Sequence, residues 1–135
     1  MEPFYPAYLF LGLAYQQVGR LSEAIAAHER ANALSQRSTM TVAALGAALA
    51  AEGRASEALE VVGELEDGYA HGRYVSGVWL GAVHAVLGNT ERAMVCLERA
   101  RADGCPWLLR CLRLDPRLDG LRDFPRFQTL LDRNA

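Results

Sequence analysis

Three stretches of the chain follow one template, and this internal repetition limits the fold more than any other feature. In each stretch a Leu-Gly pair is followed by a second glycine seven residues later, and by an alanine after five more. The three copies are Leu11, Gly12, Gly19, Ala24; Leu45, Gly46, Gly53, Ala58; and Leu80, Gly81, Gly88, Ala93. The second glycines lie 34 and 35 residues apart. This period is typical of a helix–turn–helix repeat, whose units stack because none can bury its apolar face alone.

Helix start and stop signals agree with the repeat. Pro6 suits the first turn of a helix, where its missing N–H is not needed, and Gly19 suits the end of that helix. Ser22 and Ser56 each precede a glutamate, and Asn89 is followed by Thr90 and Glu91. These residues suit the starts of the second helices, because their side chains can accept a bond from a free backbone N–H. The predicted helices are 6–18, 22–34, 39–52, 56–66, 74–87 and 90–102.

The segment after residue 104 does not follow the template. Pro106 opens a short apolar stretch, in which we interpret Trp107 as an apolar plug, and Pro125 opens a last helix. A solenoid needs such a tail, because its last repeat would otherwise leave an apolar face in water. We therefore predict an all-α, right-handed solenoid of three helical hairpins plus a C-terminal helical cap. It forms one domain, 1–135, with repeats at about 5–38, 39–73 and 74–104 and a capping segment at 105–135.

The front of the chain has no comparable cover. Phe4, Tyr5, Tyr8 and Leu11 begin directly at a repeat. We therefore expect the chain to be the rear part of a longer array, or to associate through this N-terminal edge. The second option predicts a homo-oligomer.

Composition and charge exclude several classes of partner. The net charge is −2, and all 14 basic residues are arginine. The arginines of 110–126 alternate with aspartates, so they form no basic stripe of the kind that binds nucleic acid. The longest uncharged stretches, 3–19 and 74–90, are shorter than the roughly 20 apolar residues of a membrane helix. Because Glu2 stands where a signal peptide is basic, we expect neither secretion nor a membrane, and a cytoplasmic location.

The sequence offers no constellation for catalysis. His28, His71 and His84 fall on different repeats, and we interpret His28 and His84 as packed, hydrogen-bonded core residues. Cys96, Cys105, Cys111 and His84 offer four soft donors but include no C-x-x-C or H-x-x-x-H pair, which disfavours a zinc site. The absence of lysine excludes a phosphate-binding loop. We predict no enzyme activity, cofactor or metal. A redox pair of Cys105 and Cys111, and an enzyme or metal carrier built on the cysteines, stay open as the weakest alternatives.

The residues at the repeat positions resemble those of the tetratricopeptide repeat family. The matching positions are Leu11, Gly12, Tyr15, Ala24 and Ala31; Leu45, Gly46, Leu49 and Ala58; and Leu80, Gly81, Ala93 and Ala100. The motifs RYVS (73–76), LGN (87–89), LERA (97–100), LDPRLD (114–119), LR (121–122) and PRF (125–127) resemble the terminal module of arrays in bacterial multidomain regulators. Gly77 departs from that module, which usually carries proline there.

This resemblance implies a concave groove lined by the first helix of each repeat. The corresponding residues are Leu9, Leu13, Gln16, Ala43, Ala47, Ala50, Val78, Trp79, Ala82 and Ala85. We expect an apolar groove that binds a peptide or helix of a partner protein, with Leu13 and Trp79 as anchors. The alternatives are a groove filled by the chain's own tail or by a neighbouring chain, a self-associating scaffold, and a C-terminal fragment of a transcription regulator or kinase.

Overall fold

The computed structural model describes residues 4–133, and these contain only helices and connections, with no strand. The helices are α1 (Tyr5–Gln17), α2 (Leu21–Ser35), α3 (Thr39–Ala51), α4 (Ala55–Ala70), α5 (Gly77–Leu87), α6 (Thr90–Ala102), α7 (Leu108–Leu114), the 3-10 helix η1 (Pro116–Leu121) and α8 (Pro125–Arg133). α1 pairs with α2, α3 with α4, and α5 with α6, while α7, η1 and α8 form the cap. The predicted all-α solenoid of three hairpins with a C-terminal cap is confirmed.

The first helix of every hairpin ends in the same way. Gly19, Gly53 and Gly88 have φ values of 80°, 85° and 83°, a left-handed conformation that glycine adopts without a Cβ penalty. The following residue then donates its backbone N–H to a carbonyl five residues earlier. The three bonds are Arg20 to Tyr15, Arg54 to Leu49 and Asn89 to His84, at 2.9, 2.9 and 2.8 Å. The glycine period read in the sequence is therefore the period of one repeated helix-ending motif.

The Leu-Gly pairs mark the places where the two helices of a hairpin cross. A Cβ on Gly12 would lie 2.5 Å from the His28 ring, and one on Gly46 would lie 2.8 Å from Val61. The template alanines Ala24, Ala58 and Ala93 are fully buried. Small residues therefore let the paired helices approach closely, as the sequence indicates.

The predicted caps at Ser22 and Ser56 are wrong. α2 and α4 begin one residue earlier, with Arg20 and Arg54 at the N-cap and no side-chain cap bond. The backbone N–H of each arginine is bonded within the turn that follows the glycine, so the helix begins at the next residue. Each arginine instead forms an ion pair one turn into the helix, Arg20–Glu23 and Arg54–Glu57, both at 2.6 Å.

The cap builds a second core on the last hairpin. Leu108, Leu112, Leu118 and Phe127 are buried in one cluster with α5 and α6 residues such as Met94. The predicted last helix from Pro125 is present, whereas the sequence did not predict η1. The rear end of the solenoid is therefore covered, and α5 of the third hairpin contacts both α3 of the second hairpin and η1 of the cap.

Candidate binding cavity

A cavity of about 570 Å³ lies between α1 and the cap. Residues near the C-terminal ends of α1, α3 and α5 form one wall, and residues 110–117 form the other. The lining residues are Phe10, Leu13, Ala14, Gln16, Gln17, Ala51, Val86, Arg110, Cys111, Leu114, Asp115, Pro116 and Arg117. The volume falls within the range of about 300–1,000 Å³ that is usual for ligand pockets.

The structure brings only part of the expected groove to this cavity. Leu13 and Gln16 line it, and both are half-buried. Five other groove residues are buried by neighbouring elements: Leu9, Ala43, Ala47, Val78 and Ala82. Ala50, Trp79 and Ala85 are half-buried. Val78 and Ala82 belong to the same cluster as the buried leucines of the cap, so the cap covers this end of the concave surface.

Trp79 is covered by the chain's own Arg117. The guanidinium carbon of Arg117 lies 4.8 Å from the centre of the Trp79 ring, a cation–π geometry. The Arg117 side chain is only 8% exposed, and it pairs with Asp115 through Nη2–Oδ2 at 2.8 Å and Nε–Oδ1 at 3.1 Å. The turn at 115–117 therefore occupies the middle of the surface that the sequence predicts to be open.

Arg122 fixes this turn to the cap. Its Nη1 donates to the Leu112 carbonyl oxygen at 2.6 Å, and its Nη2 donates to that of Asp115 at 2.9 Å. The Asp115 carboxylate also accepts the backbone N–H of Arg117 at 2.9 Å, which starts η1. Backbone and side-chain bonds together thus hold the turn against α5.

One positive charge on the cavity wall is uncompensated. Arg117 is neutralised by Asp115, and among residues 4–133 no other carboxylate lines the cavity. Arg110 is exposed on α7 and forms no ion pair within residues 4–133. The wall therefore combines an apolar surface with one free cation.

Two polar atoms of the cavity-lining residues lack a hydrogen-bond partner among the described residues. They are Gln16 Oε1 and Arg117 Nη1, both closed off from solvent. Because neither atom has solvent-accessible surface, both lie behind the cavity wall and are not presented to a molecule inside the cavity.

His28 lies behind this surface as a packing residue. Its ring is fully buried against Gly12, and neither ring nitrogen has a hydrogen-bond partner in the described part of the chain. The expectation that it is hydrogen-bonded is therefore wrong. Burial, with a smaller effect from the positive charge of Arg117, lowers the pKa of His28 to about 4. The imidazole is neutral near pH 7 and makes no bond that would orient it as a ligand or base.

The remaining candidate side chains do not converge on a reactive site. Cys96, Cys105 and Cys111 are free thiols, and burial raises the pKa of Cys96 and of Cys111. No group of three potential metal ligands occurs among residues 4–133. Trp107 is 61% exposed, so its interpretation as an apolar plug is wrong. It precedes α7, whose buried face is formed by Leu108 and Leu112.

The stacked hairpins, the shared glycine turns and the cavity on the side of the first helices define a helical-repeat protein. The family model of the tetratricopeptide repeat matches residues 5–37, which is the first hairpin. Residues 5–37 therefore form a tetratricopeptide repeat, and the same geometry recurs in the second and third hairpins. No curated protein and no solved structure matches it significantly. Among the helices described for residues 4–133, none has both the length and the apolar character needed to cross a bilayer.

Proposed function

We propose that this protein is a non-enzymatic interaction module that binds a segment of a partner protein in the cavity between α1 and the cap. Tetratricopeptide repeats generally mediate protein–protein interaction. The observation that carries the proposal is the cavity itself, which has a volume of about 570 Å³, a mostly apolar wall on the side of the first helices and a wall of mixed character at residues 110–117. The resemblance of the terminal motifs to bacterial regulators favours a role in such a system.

The mouth of the cavity presents apolar side chains that the chain does not cover. Phe10 of α1 is 66% exposed and Leu114 of α7 is 68% exposed. Leu13, also on α1, is half-buried and packs against the cluster that contains Leu9. A partner segment inserted here would bury these side chains, and buried apolar area is the main source of affinity in such grooves. The front of the expected groove, at Leu13 and Gln16, is thus the part available in this conformation.

The proposal is tested by selecting binders from a library of random linear peptides on the immobilised full chain. Phe10→Ala should weaken the selected peptides about tenfold, because loss of a central aromatic contact typically removes more than 1 kcal/mol. Phe4→Ala is the matched control: Phe4 is 69% exposed at the start of the same helix and does not line the cavity. Peptides that bind both variants equally well, or a library that gives no binder, would refute a peptide-binding cavity.

A second candidate function is self-association through the outer side of α1. Phe4, Leu11 and Val18 are exposed apolar side chains on or next to this helix, at 69%, 43% and 70%. They form no part of the cavity lining. Light scattering at two protein concentrations tests this candidate, because a dimer through α1 must dissociate on dilution and must be lost in Leu11→Glu.

A further inference from the structure

The charge on the cavity wall specifies the partner more closely. We infer that the bound segment is apolar and carries an acidic side chain that pairs with Arg110; this inference rests on the proposed peptide-binding function. Arg110 is the uncompensated cation of the lining, since Arg117 is already paired with Asp115. An acidic side chain is the complementary group for an unpaired guanidinium.

The free state of Arg110 contrasts with most other arginines of the chain. A carboxylate lies within ion-pair distance of each of the following arginines: Arg20, Arg37, Arg54, Arg92, Arg99, Arg117, Arg122 and Arg126. The chain has 16 acidic and 14 basic residues, so carboxylates are in slight excess. An arginine left without one at the edge of an apolar cavity is available to a carboxylate from another molecule.

The cap, and not the repeats, supplies this contact. Arg110 lies on α7, opposite the wall formed by α1. A segment in the cavity would therefore contact Leu13 and Phe10 on one side and Arg110 on the other. The cap acts in this arrangement as the second half of the binding site, in addition to closing the core.

The expected selectivity is modest and depends on salt. An ion pair between partly exposed groups contributes about 0.2–1 kcal/mol, which is up to about a fivefold change in affinity. A charge at the rim of a binding site also raises the association rate, and this effect falls as ionic strength rises.

The inference is tested with a peptide from the selection above, synthesised with blocked termini so that its only carboxylate is a side chain. Affinities of the acidic peptide and its Glu→Gln or Asp→Asn analogue are measured on the wild-type chain and on Arg110→Gln. We expect the analogue to bind the wild type up to about fivefold more weakly, and to bind Arg110→Gln as well as the acidic peptide does. Arg113→Gln is the matched control, since Arg113 is exposed on the same helix, forms no ion pair among the described residues and does not line the cavity.

The outcomes separate the two proposals. Selected peptides that depend on Phe10 but lack acidic residues, or show no coupling to Arg110, overturn the inference and leave the peptide-binding function standing. Coupling of the same size to Arg113 also overturns it. A selection with no binder dependent on Phe10 overturns the proposed function, and the inference fails with it.

Discussion

Gly77 lies so close to Cys96 that a Cβ on it would meet the Cys96 carbonyl oxygen at 2.1 Å. The same Cβ would come within 3.1 Å of Ala100. Gly77 is the first residue of α5, and Cys96 and Ala100 lie on α6, so the contact fixes how closely the last hairpin closes. The glycine that departs from the proline of the resembling module is thus required by the packing of these two helices.

Gly77→Ala should destabilise the protein by at least about 2 kcal/mol, because the methyl group collides with backbone that cannot move aside without shifting α6. The urea midpoint followed by circular dichroism measures the loss. Gly63→Ala is the matched control: Gly63 is exposed on α4, and a Cβ there would meet nothing within 4 Å. That variant should gain about 0.5–1 kcal/mol from helix propensity. Equal shifts of the urea midpoint in Gly77→Ala and Gly63→Ala would show that the close contact between Gly77 and α6 is absent.

The repeated part of the fold was predictable, because each signal occurs three times. The glycine period marks the helix ends, and the Leu-Gly pairs mark the crossings. Single side-chain caps were less predictable. Ser38 and Ser76 accept hydrogen bonds from the backbone N–H groups of Thr41 and Val78 at the starts of α3 and α5. Neither serine is followed by the glutamate that marks Ser22 and Ser56. α4 continues to Ala70, four residues past its predicted end at residue 66, and Gly68 lies within the helix.

The path of the cap was not predictable from its composition. The period ends at residue 104, and no pattern shows which face a unique segment will cover. The pairing of Arg117 with Asp115 is local, but the position of Arg117 over Trp79 depends on a turn that brings distant parts of the chain together. The groove expected from the first helices alone therefore omitted the wall that residues 110–117 provide.

Removing Arg117 should destabilise the protein more than removing the whole ion pair. The Asp115 side chain is 11% exposed, so Arg117→Met leaves a largely buried carboxylate without its partner. We expect a loss of about 3 kcal/mol. Adding Asp115→Asn should recover part of it, because asparagine removes the charge and keeps an oxygen that can cap η1. Thermal unfolding of the single and double variants measures the recovery; a double variant less stable than Arg117→Met would contradict the burial of this pair.

Arg126 should control the titration of Glu98. Arg126 of α8 donates to both oxygens of the Glu98 carboxylate, at 2.9 and 2.5 Å, and it also pairs with Glu91. These bonds hold the pKa of Glu98 below its usual value of 4.5. Because its pKa is lowered in the folded state, the ionised Glu98 stabilises the fold at pH values above the ordinary pKa of 4.5. This contribution disappears as the pH falls through the folded-state pKa.

Arg126→Gln should therefore raise the pKa of Glu98 towards its ordinary value, as measured by the NMR titration of its side-chain carboxyl group. The loss of stability should be small, because the pair is partly exposed and screened by solvent. Arg133→Gln, an exposed change on the same helix, serves as the control and should leave the titration of Glu98 unchanged. An unchanged pKa in Arg126→Gln would show that α8 is not joined to α6 by this pair.

His28 should make the protein sensitive to mild acid. Burial, and then the charge of Arg117, lower its pKa from 6.5 to about 4, so the folded state binds a proton less readily than the unfolded state. The neutral His28 therefore makes its full contribution to the free energy of unfolding above pH 6.5, and this contribution is lost as the pH falls from 6.5 towards 4. The full loss is about 3 kcal/mol, since one pKa unit corresponds to about 1.4 kcal/mol. Burial also lowers the pKa of His84, which acts in the same direction.

The test compares the free energy of unfolding at a series of pH values in two variants with the same chemical change. His28→Gln should be less stable at neutral pH, since it alters a packed core position, but it should lose less stability between pH 6.5 and 4 than the wild type. His71→Gln replaces a histidine that is exposed at the end of α4 and should keep the wild-type pH dependence. If His28→Gln kept the full acid sensitivity, the neutral imidazole packed against Gly12 would not be its source, and the carboxylates of the surface ion pairs would have to account for it.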